Sequence, residues 1–180
     1  MSLRQFTLPR LWLITDARND DVLDRALAGL PRGSGVVFRH YHLAPGERAR
    51  RLAEIRRLCR RFGLRLEIAG LGYGPPAPRR ALATVHGLRE IGRANRLGAQ
   101  AVVLSPVHPT RSHPGARALG RVRFLLLARR AHAPVIALGG MTERRFRGLP
   151  VHGWAAIDGL SRRAALSPFR NTNPWNPKDS

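Results

Sequence analysis

The chain has 180 residues, 43% of them hydrophobic, a single cysteine and a formal net charge of +21 at pH 7. That length supports one core, so a single domain over residues 1–166 with a loosely ordered tail at 167–180 is expected. Cys59 alone excludes a disulfide framework or a thiolate metal site within one chain, and it fits a reducing, cytoplasmic setting. Lys178 stands against 31 arginines spread over nearly every segment. This dispersion reads as a bias of composition, not a selected patch, and makes nucleic acid an unlikely partner despite the charge.

The opening MSLRQFTLPRLWLITD has no apolar run of signal-peptide length, and no later stretch reaches a membrane-spanning length. LWLIT (11–15) and GVVFRHY (35–41) are the first two short apolar runs expected as strands. In GVVFRHYH, alternation sets Val37, Arg39 and Tyr41 on one side and His40 with His42 on the other. His-x-His invites a metal reading, discounted because no nearby carboxylate or Cys completes the ligand set. GERARRLAEIRRLCRRFG then places Leu52, Ile55, Leu58, Cys59 and Phe62 at helical spacing with Arg opposite, and Gly63 ends the helix.

LRLEIAG (64–70) is a third strand, but GLGYGPPAPRR (70–80) holds too many Gly and Pro for a helix and is too short for a helix plus a strand. ALATVH (81–86) resumes the pattern, and GLREIGRANRLG repeats an amphipathic helix through Leu88, Ile91 and Ala94, with Gly98 at a left-handed cap. AVVLSP (101–106), PVIALGG (134–140) and WAAIDG (154–159) complete seven candidate strands. Runs that are apolar throughout, alternating with helices, imply a parallel sheet covered by helices, hence an α/β fold. Both a doubly wound sheet and a closed barrel place their chemistry at the carboxyl ends of the strands.

Those ends carry the candidate residues. In the loop after AVVLSP, Thr110, Arg111, Ser112 and His113 supply hydroxyl and cationic donors for anionic oxygens, though a merely solvated loop is the plainer alternative. Gly139-Gly140 and Asp158-Gly159 end the last two strands, and glycines there let backbone N–H groups approach an anion, with Thr142 and Glu143 suited to opening a helix. His86 ends its strand just before a helix, as a structural hydrogen-bonding group or as a general acid or base.

These motifs resemble thiamine phosphate synthase and its close relative, the thiazole tautomerase, which share a (β/α)8 barrel. LSPVHPTRSHPGARALG is similar to that family's GPVFPT-x-[TS]-K loop, PVIALGGM to its PV-[FY]-AIGG turn, and HGWAAIDGL to its closing strand. ATVHGLREIGRANRLGA and GVVFRHYH resemble its S-x-H segment and VQLR-x-K strand, so the likeness runs over about residues 11–160. It implies a shortened TIM (β/α)8-type barrel, reduced between strands three and five. It implies small phosphorylated substrates: hydroxymethylpyrimidine diphosphate and hydroxyethylthiazole phosphate, joined with loss of diphosphate. By that resemblance Arg39 meets the diphosphate, Thr110, Ser112, Gly139, Gly140 and Gly159 cradle the thiazole phosphate, and His86 falls where the tautomerase places a proton-transferring imidazole.

The chain also departs from the family. Val37 and Tyr41 replace the strand-two Gln and Lys, His113 replaces the loop Lys, and Ala69 and Gly70 replace the Asn-Asp after strand three. Strand four, with its acidic ligand, has no counterpart in GLGYGPPAPRR. Mg2+ is expected from the family, its ligands here are not evident, and Asp16 is the nearest substitute. A tautomerase, or a non-catalytic module binding thiazole or thiamine phosphate, are the alternatives. Oligomeric state is not legible.

Overall fold

The computed structural model describes residues 7–110, 117–158 and 160. Eight strands run in one sheet, all neighbouring pairs parallel, in the order β3-β2-β1-β8-β7-β6-β5-β4. They are β1 Leu11–Ile14, β2 Gly35–Phe38, β3 Arg65–Ile68, β4 Tyr73–Gly74, β5 Leu82–Val85, β6 Ala101–Leu104, β7 Val135–Ala137 and β8 Gly153–Ala156. That order leaves β3 and β4 as the two edge strands of the sheet. The ring is nearly closed by a single parallel bridge between Ala69 and Tyr73, reinforced by Gly70 N–H donating to the Tyr73 carbonyl at 2.9 Å. The architecture is therefore the TIM-type barrel, not the doubly wound sheet.

Strand alternation divides the apolar residues into two cores. Trp12, Ile14, Val37, Leu82, Ala101, Val103, Ile136 and Ala155 fill the barrel interior. Leu13, Val36, Phe38, Val85, Val102, Leu104 and Ala137 face outward into a layer that includes Leu27, Ile55, Ile91 and Phe124 from the helices. Those helices are α1 Leu23–Ala28, α2 Pro45–Phe62, α3 Leu88–Arg96, α4 Gly120–Ala128 and the single-turn α5 Glu143–Phe146, with a 3-10 segment over Ala17–Val22. Helix α2 starts with Pro45 at its first position, where a missing N–H costs nothing, and ends on Gly63 at φ +66°. It buries Ile55 and Cys59 as its periodicity predicts, and burial pushes the Cys59 thiol up to about 11, which leaves it unreactive. Inside the barrel the Trp12 ring lies over Gly35, where a Cβ would come within 2.1 Å of it, so only glycine fits.

One difference from the sequence reading is local to one corner. The stretch 70–80 does contain a strand, the two-residue β4, which pairs with β5 through Tyr73–Leu82 and Gly74–Ala83. No helix follows β3 or β4; a turn over residues 69–72, in which Leu71 and Gly72 both donate to Ile68 O at 3.0 Å, steps the chain sideways. This is the reduction expected between strands three and five. Beside it, β3 turns Arg65 and Glu67 toward the interior, opposite Gly35 and Val37, where they pair at 2.8 Å. The expected domain edge at 166 and the tail 167–180 lie outside the described residues.

Candidate active site at the mouth of the barrel

At the carboxyl ends of β6 and β7 the ladder continues past the strands. Val107 N–H donates to Leu138 O at 2.9 Å and His108 N–H to Gly139 O at 3.1 Å, which zips the two turns together. The close approach demands glycine. A Cβ on Gly139 (φ +97°) would lie 2.7 Å from Pro106 Cα, and one on Gly140 (φ +58°) would lie 2.6 Å from Pro109 O. Among the described residues, neither the Gly139 nor the Gly140 amide donates to a backbone carbonyl, so both remain available to an anion. Thr142 caps α5 by accepting from Arg145 N–H at 3.3 Å, and the Arg145 guanidinium bonds the Gly140 carbonyl. Arg145 was not singled out in the sequence because nothing there marks which of the Arg144-Arg145 pair turns back on the loop.

Next around the rim, His86 is exposed, and its Nδ1 lies 2.9 Å from Ser105 O and 3.3 Å from Ser105 Oγ. A carbonyl can only accept, so Nδ1 carries the proton and Nε2 is the basic nitrogen. Its backbone N–H is held by Glu90 of α3, which fixes the residue at the β5–α3 junction. Ser105 leads directly into the zipped β6–β7 turns, so His86, Gly139 and Gly140 belong to one continuous rim. Thr110 is half-buried at the far end of the β6 turn, and the chain returns there through Leu119 N–H to Pro106 O at 2.9 Å. Arg111, Ser112, His113 and Gly159 lie outside the described residues.

The β1, β2 and β8 ends form a charged sector. Arg18 Nε donates to Asp16 Oδ1 at 2.8 Å, and Arg18 Nη1 reaches Asp158 Oδ2 at 3.5 Å. Burial alone would raise the Asp16 pKa, but hydrogen bonds from Arg18 and the charges of Arg18 and Arg39 hold it below its ordinary value. Asp158 therefore faces a guanidinium. Arg39 is half-buried beside this group and close enough to Tyr73 to oppose the rise that burial imposes on the phenol.

The His-x-His reading changes in the folded chain. Strand β2 ends at Phe38, and His40 turns at φ +26°, so the expected alternation through Tyr41 stops. His40 is fully buried and has a carboxylate after all: Asp20, in the 3-10 segment, meets its Nε2 at 3.0 Å, and Asp20, His40 and His42 offer ligand atoms within 4.8 Å of one another. Sequence reasoning missed Asp20 because it lies 20 residues upstream, on another strand's turn.

None of these groups fits magnesium, a hard ion that wants several free oxygen ligands. Ala69, Gly70 and Gly74 stand at the ends of β3 and β4, where a carboxylate would be needed. Asp16 is engaged by Arg18. Asp20 is gripped by the Arg51 guanidinium at 2.8 Å, and both ring nitrogens of His40 are already in hydrogen bonds.

Three comparisons bear on this arrangement. A family model described as thiamine monophosphate synthase matches residues 82–160, the segment that carries His86 and the two glycines. A putative thiamine-phosphate synthase 2 of Aquifex aeolicus (strain VF5) is 27% identical over 180 residues, covering 86% of this chain and 97% of the relative. The thiamine phosphate pyrophosphorylase from Pyrococcus furiosus superposes with a TM-score of 0.69 at 20% identity, over 88% of this chain and 93% of that one, a likeness of fold. The barrel, the zipped glycine turn and the matched segment agree in one likeness: this chain is similar to the thiamine monophosphate synthase family.

Proposed function

We propose that this chain is a thiamine biosynthesis enzyme that makes thiamine phosphate, joining hydroxymethylpyrimidine diphosphate to hydroxyethylthiazole phosphate in the mouth of the barrel. The observation that carries the reading is the pair of Gly139 and Gly140 amides, left without backbone acceptors where the β6 and β7 turns are zipped together. These amides, with the Thr110 hydroxyl and with Ser112, Arg111, His113 and Gly159 nearby in sequence, hold the thiazole monophosphate. Arg39 sits on the opposite sector and stabilises the leaving diphosphate. The bond between the pyrimidine methylene and the diphosphate oxygen breaks, its electrons leave with diphosphate, and the thiazole nitrogen supplies the pair for the new C–N bond. Charge develops on the leaving oxygens in this step, and preorganised guanidinium donors lower its cost. We place the enzyme in the cytoplasm on the strength of its single buried thiol; among the described residues no helix is long and apolar enough to cross a membrane.

A second reading rests on His86. With Nδ1 tied to Ser105, its exposed Nε2 is placed to move a proton on a thiazole ring, as a tautomerase requires. One assay separates the two. Purified protein given both substrates and magnesium should release diphosphate and form thiamine phosphate. Absence of turnover above a blank would refute the synthase, and proton exchange on the thiazole that disappears in His86→Ala would put the tautomerase in its place. If neither activity appears but thiamine phosphate raises Tm, a binding module is left.

A further inference from the structure

A buried relay lies behind Arg39, on the outer side of the barrel wall. Arg39 N–H donates to Thr15 Oγ1 at 3.0 Å, and Thr15 Oγ1 lies 2.7 Å from His40 Nδ1. His40 Nε2 lies 3.0 Å from Asp20 Oδ1, which also accepts from Arg51 Nε at 3.0 Å and Nη2 at 2.8 Å. The proton positions follow from chemistry. An ionised carboxylate only accepts, so His40 Nε2 donates to Asp20 and Nδ1 must accept the Thr15 hydroxyl proton. Thr15 Oγ1 is then left to accept from Arg39.

Thr15 and His40 are both fully buried, so these bonds have no water to replace them. His40 also stands at φ +26°, a conformation a non-glycine side chain reaches only when its surroundings hold it there. Arg39 follows the last residue of β2, with its guanidinium 5.9 Å from the Tyr41 ring centroid and close enough to Tyr73 to act on its phenol. The other groups around the ring are Phe38, stacked on it at 4.6 Å, His42 at 5.2 Å, and, through Arg51, Asp24 at 3.0 Å and Glu54 at 3.0 Å.

We propose that Asp20, His40 and Thr15 are positioning residues that clamp this strained turn and so aim the Arg39 guanidinium at the diphosphate of the substrate, a role that rests on the assignment of Arg39 above. The same bonds compete with a metal ion for this cluster: a cation on His40 would have to displace Thr15 or Asp20 beside the charge of Arg51.

The test is titration calorimetry of the full chain with inorganic diphosphate and, separately, orthophosphate. Asp20→Ala and Thr15→Val should each weaken diphosphate binding about ten-fold and add little when combined with Arg39→Ala, since residues acting through one group are not additive. Thr15→Ser, which keeps the hydroxyl, should restore binding. Orthophosphate, bound by the glycine turn, should change less than about two-fold, which a general loss of folding would not permit. Circular dichroism confirms the fold, and Thr15→Ser with Asp20→Ala keeps the test decisive should Thr15→Val fail to fold. If Arg39→Ala weakens diphosphate binding and the relay variants do not, the relay is overturned. If Arg39→Ala itself leaves diphosphate binding unchanged, both the relay and the assignment of Arg39 fall. Stoichiometric Zn2+ binding lost in His42→Ala would also overturn the relay.

Discussion

Replacing Gly139 by alanine probes the seam on which the site depends. Two effects add. A non-glycine residue at φ +97° carries backbone strain of about 1–2 kcal/mol. The new Cβ would also lie 2.7 Å from both Pro106 Cα and Cβ, so the β6 turn must retreat from the β7 turn. That retreat weakens the bonds of Val107 N–H to Leu138 O and His108 N–H to Gly139 O, each worth about 0.5–1.5 kcal/mol net. The sum is roughly 2–4 kcal/mol, or a fall in Tm of roughly 5–15 °C for a chain of this size. Thermal unfolding followed by circular dichroism measures it, with Gly87→Ala as companion because Gly87 is extended and a Cβ there meets nothing within 4 Å. If Gly139→Ala melts with Gly87→Ala and binds orthophosphate as well as the unaltered protein, the turns are not packed as described and the anion cradle is wrong.

Other substitutions and conditions test separate parts of the account. Gly92 lies inside α3, and a Cβ there would meet only the mobile end of Arg96 at 3.6 Å, so Gly92→Ala should stabilise by about 0.5–1 kcal/mol in urea unfolding. Acid should destabilise the fold in two stages, read as Tm against pH. Burial holds the His40 pKa below its ordinary 6.5, so the folded chain binds fewer protons and the contribution of His40 is present above that value and shrinks as pH falls below it. Asp16 and Asp20 are held below 3.8 by their arginine and histidine partners, against burial, so their contributions persist to lower pH and disappear as pH falls through their folded values. His40→Gln should remove the first stage and spare the second. Finally, since Ala69, Gly70 and Gly74 stand where carboxylate ligands would be needed, chelation with EDTA should change the affinity for inorganic diphosphate less than about three-fold in calorimetry, and a greater loss would show that the donor set has been misread.

The sequence by itself determined the layered pattern. Apolar runs bounded by glycine and proline marked β1, β2, β3, β5, β6, β7 and β8, and helical periodicity marked α2 and α3 with their glycine caps. PVIALGGM also announced the glycine turn, because a doubled glycine after a buried strand serves a close backbone approach, and the structure finds Pro106 and Pro109 against it. Strand β4 was invisible because two residues carry no period; Tyr73 and Gly74 are strand only by virtue of their pairing with Leu82 and Ala83. The tertiary structure alone decided the charged groupings. Arg18 reaches Asp158 across 140 residues, and Asp20 reaches His40 across 20, because the parallel pairing of β1 with β8 and with β2 sets those strand ends side by side on one rim. Local patterning is set by the neighbours of each residue along the chain, whereas a contact between strand ends exists only once those strands have paired in the sheet.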